Sequence, residues 1–156
     1  MRVYSEIAEA DIEFFPDYLR GSTITLCFSL FETLLGDVAN QVARDLGVDV
    51  NFEERKIPYI DQHILWLKRS CGLDIQVDKK LWKELAAVRE LRNRFIHRMD
   101  RDLPPQVRDT LNTLSNNEMD DNMPSDDEHV NATMKTVSDL AKRVELAYWK
   151  FVDAQE

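Results

Sequence analysis

The sequence predicts an all-α protein, a single helical bundle of four to five principal helices over residues 1–156. Three observations carry this. Apolar residues recur at steps of three and four along several stretches, the period of one helix face. Strand signals are nearly absent: no Asn-Gly or Asp-Gly hairpin dipeptide occurs, and the alternating run Leu73-Asp74-Ile75-Gln76-Val77 is short enough to read as a linker. A composition of 44% hydrophobic and 31% charged residues is that of a soluble domain with one core.

The elements follow in order. Val3 to Tyr18, with Ile7, Ile12, Phe14 and Phe15, predicts a short leading helix, and Pro16 opens a turn or a new first helical position. Residues 22–46 place Ile24, Phe28, Phe31, Leu35, Val38 and Val42 on one stripe, and Gly47 stands where a helix stops. Residues 58–71 begin at Pro58, put Ile60, Ile64, Leu65 and Leu67 on one broad face, and end at Gly72. Asp78 can cap a helix running to about Arg98, with Leu81, Leu85, Val88 and Phe95 on its stripe. Residues 106–115 predict one short helix. Residues 109–128 hold seven acidic side chains and no Lys or Arg, the composition of a mobile acidic loop. Ser125-Asp126-Asp127-Glu128 is a capping box ahead of a last helix carrying Val130, Met134, Val137, Ala141, Val144, Tyr148 and Phe151.

Several classes drop out. Four Gly and five Pro exclude collagen-like and low-complexity chains. The longest uninterrupted apolar runs are too short for a bilayer and nothing reads as a signal peptide, so no membrane is expected. Cys27 and Cys71 lack metal-ligand or redox spacing and read as reduced thiols in a cytoplasmic protein, with no metal and no cofactor. His63 and His129 have no ligand partner at helical spacing and read as surface groups. Trp66, Trp82 and Trp149 fit core or interface positions better than base-stacking ones.

One local constellation carries chemistry. Continuing the stripe from 81, 85 and 88 leads to Arg92, a charge among apolar neighbours that must find a partner. Glu32, inside Phe31-Glu32-Thr33-Leu34-Leu35, is one candidate. Arg89, Asn93 and His97 form a polar strip beside it, since Asn93 and His97 lie about 40° apart on the helix. Such a set suits phosphodiester chemistry. His titrates near neutrality and can move a proton. Arg can stabilise charge that develops on phosphate oxygens, and Asn can orient either. Lys79, Lys80 and Lys83 precede the set on the same helix and can track an RNA backbone. The residues alone leave a purely structural role open as well.

Arg92-Asn93-Arg94-Phe95-Ile96-His97 resembles the signature of HEPN domains: Arg, a polar residue directly after it, an apolar pair, then His. The all-helical pattern, and an acidic residue in an apolar setting on an earlier long helix, are similar to that family too. The resemblance implies a homodimer through the motif helices and, in many members, a metal-independent endoribonuclease. It implies His97 as general acid or base at the ribose 2′-hydroxyl or the leaving oxygen. Arg92 would bind the scissile phosphate, and Asn93 would position both. Glu32 and Arg89 would support the site, with Lys79, Lys80, Lys83, Arg94 and Arg98 as RNA contacts. The implied products are a 2′,3′-cyclic phosphate and a 5′-hydroxyl, in a toxin or a defence protein against phage and mobile elements, with an antitoxin as a further partner. Other members have lost catalysis and only bind RNA or nucleotides, or act in assembly.

The formal charge of −9 is uneven. Residues 79–108 hold nine basic and four acidic side chains, a local balance of +5, which leaves −14 for the remainder. An acidic chain argues against indiscriminate polyanion binding. The helix that carries the motif is the exception.

Overall fold

The computed structural model describes residues 2–52, 56–97, 102–116 and 127–155, apart from the side chains of residues 2–14, 17 and 97. The fold is an all-α bundle, with five helices and no strand among the described residues: α1 (Arg2–Leu46), α2 (Tyr59–Arg69), α3 (Lys79–His97), α4 (Pro105–Ser115) and α5 (Asp127–Asp153). The chain groups into two compact units. The first comprises Met1–Phe28 and Lys79–Thr136, the second Ser29–Asp78 and Val137–Glu156.

In the first unit the core is built from Ile24 and Phe28 of α1, Leu81, Leu85, Ala87, Val88 and Leu91 of α3, Leu103, Leu111 of α4, and Val130 of α5. The α3 helix packs on α4. Pro105 opens α4 at its first position, and Asn116 ends it with a left-handed φ of 56°. Arg20 of α1 pairs with Asp127 in the first turn of α5 at 3.1 Å. Asp127 is so exposed that the pair contributes little stability.

In the second unit Phe31, Leu35, Ala39 and Val42 of α1 are buried, with Ile60, Ile64, Trp66 and Leu67 of α2 and Val137, Leu140, Val144 and Ala147 of α5. Gly47 ends α1 with a φ of +67°, and Val48 donates back to the Ala43 carbonyl at 2.9 Å. The segment between α2 and α3 has no regular structure, as its short alternation predicts. Leu73 and Ile75 turn into the core while Asp74 and Gln76 face out. Lys68 donates to the Ile75 carbonyl at 2.6 Å and Arg143 to that of Gln76 at 2.5 Å, which satisfies backbone that a strand partner would otherwise pair.

Several expectations change. Residues before and after Pro16 form one helix, not two. Pro16 is exposed, and the helix runs through it despite the one hydrogen bond its missing N–H removes. The acidic stretch 109–128 is not one loop. Residues 109–115 belong to α4 and 127–128 open α5, while 117–126, with Ser125 of the capping box, lie outside the described residues. On α5 Val130, Val137 and Val144 of the expected stripe are buried, a further buried row runs through His129, Thr133, Thr136 and Leu140, and Met134 is exposed. The Thr136 hydroxyl is satisfied within the helix by the Ala132 carbonyl at 3.1 Å. Tyr18–Leu46, whose most apolar 18-residue window has a mean hydropathy of 1.3, is long and apolar enough to cross a membrane by length and composition, although no uninterrupted apolar run is. Unbroken runs miss it because Ser and Thr, uncharged, space its hydrophobic residues. The core helix of a soluble protein passes the same test.

His63, expected at the surface, is 3% exposed. It lies between the rings of Phe52 and Tyr59, with centroids 4.5 and 4.0 Å away. Its Nδ1–H donates to the Tyr59 carbonyl at 2.8 Å. Burial holds its pKa below the ordinary 6.5, and the backbone hydrogen bond offsets part of that. The unfolded chain therefore takes up a proton near 6.5 that folded His63 resists, so stability falls as pH drops below that value. Melting curves of the wild type should lose more stability between about pH 7 and pH 5.5 than those of His63→Gln. Parallel losses would contradict this.

Candidate functional site

The site is built on the C-terminal half of α3. The buried row of this helix begins at Leu81, Leu85 and Val88, then shifts to Leu91 and Arg94 instead of continuing to Arg92. On that side Arg94 interacts electrostatically with Arg108 of α4, the helix that packs on α3. Arg94 is thus the arginine that goes inside, at 6% exposed. Burial lowers its pKa from the ordinary value, with Asp102 opposing and Arg108 adding to the effect. Arg94, expected as an RNA contact, is thus buried, with Asp102 and Arg108 as its charged neighbours.

Arg92 takes a border position, half-buried. Its Nη1 donates to Asn93 Oδ1 at 3.0 Å. Its guanidinium carbon lies 5.9 Å from the centroid of the Phe28 ring, at the outer reach of a cation–π contact worth about 0.5–1 kcal/mol. Asn93 is half-buried beside it, as is Arg89 one turn earlier. The structure therefore brings Arg92 and Asn93 together directly. His97 is the last residue of α3 and its side chain lies outside the described residues. At about 1.5 Å per residue it stands roughly 7.5 Å along the helix from Arg92. Glu32 is half-buried and belongs to the second unit. Arg98 lies outside the described residues.

Lys79, Lys80 and Lys83 are exposed at the other end of α3. Lys80 stands 3.7 Å from Glu84, one turn on. Ile96, next to His97, is exposed, so the solvent side of α3 mixes basic and apolar groups. Of the three tryptophans, Trp66 is buried, Trp82 half-buried and Trp149 exposed. His129, expected at the surface, is buried on α5. Burial raises the pKa of the free thiols Cys27 and Cys71, which favours the neutral SH form. A small cavity of about 20 Å³, bordered by Phe52, Gln62, Trp66 and Arg69, lies in the second unit. That space suits about one water molecule, and no motif residue lines it.

The residue that sequence patterning missed is Gly21. It falls just before the predicted stripe, where it reads as a break. In the structure it is buried inside α1, and a Cβ there would run into the ring of Phe95. Gly21 meets Phe95 and Phe28 meets Arg92, so α1 and α3 run antiparallel here. A lone glycine inside a helical, apolar stretch is the signal that could have found it.

Two stability measurements test this arrangement. Gly21→Ala would gain about 1 kcal/mol from helix propensity alone, yet it should destabilise by roughly 1–3 kcal/mol from overpacking against Phe95. Adding Phe95→Leu should recover part of the loss in denaturant melts. A stabilising Gly21→Ala would contradict the close approach. Arg94→Ala should cost about 1–3 kcal/mol, while Lys83→Ala should stay within about 0.5 kcal/mol. Equal effects would contradict the burial of Arg94. No protein-family model, no curated protein and no solved structure matches the chain.

Proposed function

We propose that the chain is a metal-independent endoribonuclease of HEPN type. The observation that carries this reading is the Arg92–Asn93 hydrogen bond, which orients a half-buried guanidinium near the end of the helix that heads the one net-basic stretch of an acidic chain. A guanidinium held by a neighbouring amide loses less freedom when it meets a phosphate, so its charge is available to the transition state. His97, on the next turn of the same helix, moves the proton.

In this reading the ribose 2′-oxygen attacks the adjacent phosphorus as His97 accepts or relays its proton. The bond from phosphorus to the 5′-oxygen breaks, and the leaving oxygen takes up a proton. The products are a 2′,3′-cyclic phosphate and a 5′-hydroxyl. Arg92 neutralises the charge that grows on the phosphate oxygens, and Asn93 keeps it aimed. Lys79, Lys80 and Lys83 attract the RNA backbone. The biological setting is a cytoplasmic toxin or a defence protein acting on phage or mobile-element RNA. An antitoxin serves as a protein partner.

The contact of Arg92 with Phe28 favours a second reading, because it ties the arginine into the chain's own packing. There the motif only holds RNA, nucleotide or protein, with no cleavage.

Cleavage of labelled RNA in EDTA decides between them. Wild type should cut. Arg92→Ala and His97→Ala should each lower the rate by about 100-fold or more. Full activity in His97→Ala, or loss of wild-type activity in EDTA, would refute the mechanism.

A further inference from the structure

The α1 helix is apolar on two sides. One side, with Ile24 and Phe28, is buried in the first unit. The other carries Phe15, Leu19, Leu26 and Leu30, which are 64%, 59%, 61% and 63% exposed. At about 100° per residue, these four and Ser22 fall within an arc of roughly 80°. Tyr18 and Leu34, also exposed, stand at its two edges. By their positions in the helical repeat Asp17, Arg20 and Glu32 fall outside this arc, so the row is free of charge from Phe15 through Thr33, and Asp37 is the next charged residue on it. A helix that is hydrophobic all round calls for cover on both sides.

The order of residues suggests what covers it. Phe15 and Leu30 are equally spaced about a midpoint between Ser22 and Thr23, and so are Leu19 and Leu26. The row therefore reads large, large, small, large, large in either direction. Such a row complements an antiparallel copy of itself, with the small residues at the crossing allowing close approach. That is the condition for an isologous contact about a twofold axis. The exposed apolar surface of these side chains is on the order of 600 Å² per chain. Pairing would bury about twice that, the lower end of the range of stable interfaces. A lipid surface fits less well. Interfacial helices carry Lys and Arg on their polar face, whereas α1 from Phe15 to Asp37 carries Asp17, Glu32 and Asp37 against Arg20 alone.

We propose that α1 pairs with α1 of a second copy of this chain, antiparallel, through Phe15, Leu19, Leu26 and Leu30 about Ser22. This surface differs from the motif helices, and the pairing does not rest on the ribonuclease reading. Sedimentation tests it on the full chain. Wild type at tens of micromolar should run at twice the 18.3 kDa chain mass. Leu26→Glu should raise the dimer dissociation constant at least 100-fold. Ser22→Arg should do the same, and serves if Leu26→Glu loses its circular-dichroism helix signal. Ile96→Glu, on α3, should leave the dimer intact. A monomeric wild type would overturn the proposal. So would a dimer that survives both α1 variants, one that Ile96→Glu dissociates, or a wild type that joins phosphatidylcholine vesicles as a monomer. RNA cleavage, measured separately in the same variants, reports on the other reading.

Discussion

Phe28 is buried in the core of α1 and its ring also lies beneath the guanidinium of Arg92. Packing and chemistry meet at this contact. Two turns earlier, Gly21 lets the Phe95 ring rest against the α1 backbone. These two contacts fix the C-terminal half of α3 against α1. The position of Arg92, the amide beside it and the turn that leads to His97 all follow from that placement. A core substitution at Phe28 would therefore reach the site through this contact.

The same packing divides the work among the arginines of α3. Leu91 and Arg94 leave the solvent, and Arg94 accepts the cost of burial with Asp102 nearby. Arg92, two residues earlier, stays at the border. There it can be ordered by Asn93 and still reach a phosphate. Full burial would withhold it from a ligand, and full exposure would leave its orientation to chance. A half-buried, hydrogen-bonded guanidinium satisfies both demands.

Much of this was legible in the sequence. The period of three and four found the helices, and the glycines at 47 and 72 marked two ends with positive φ. Asn93 was placed beside Arg92 by adjacency alone, and it bonds there. What escaped depended on tertiary neighbours. The stripe of α3 pointed to Arg92 as the inward charge, but tertiary neighbours decide which side of a helix is covered, and a linear pattern does not contain them. His63 and His129 read as surface groups because no ligand partner accompanied them. Burial came from Phe52 and Tyr59 for the one and from the broad inner face of α5 for the other. Pro16 read as a boundary because proline removes a helical hydrogen bond, yet α1 continues through it at an exposed position. The apolar outer row of α1 was overlooked because attention to one stripe hides a second.

The net charge of −9 conceals the feature that matters most for function, a basic stretch leading into an ordered arginine. In the proposed reading, acidity elsewhere disfavours loose binding of RNA and capture depends on a local surface. The chemistry proposed for that surface requires the ribose 2′-hydroxyl as nucleophile. The most direct measurement uses an RNA with a single 2′-deoxy substitution at the preferred linkage. Cleavage at that linkage should vanish while neighbouring linkages are still cut, and the fragments should carry 2′,3′-cyclic phosphates. Cutting of the deoxy linkage at the unmodified rate would contradict the mechanism.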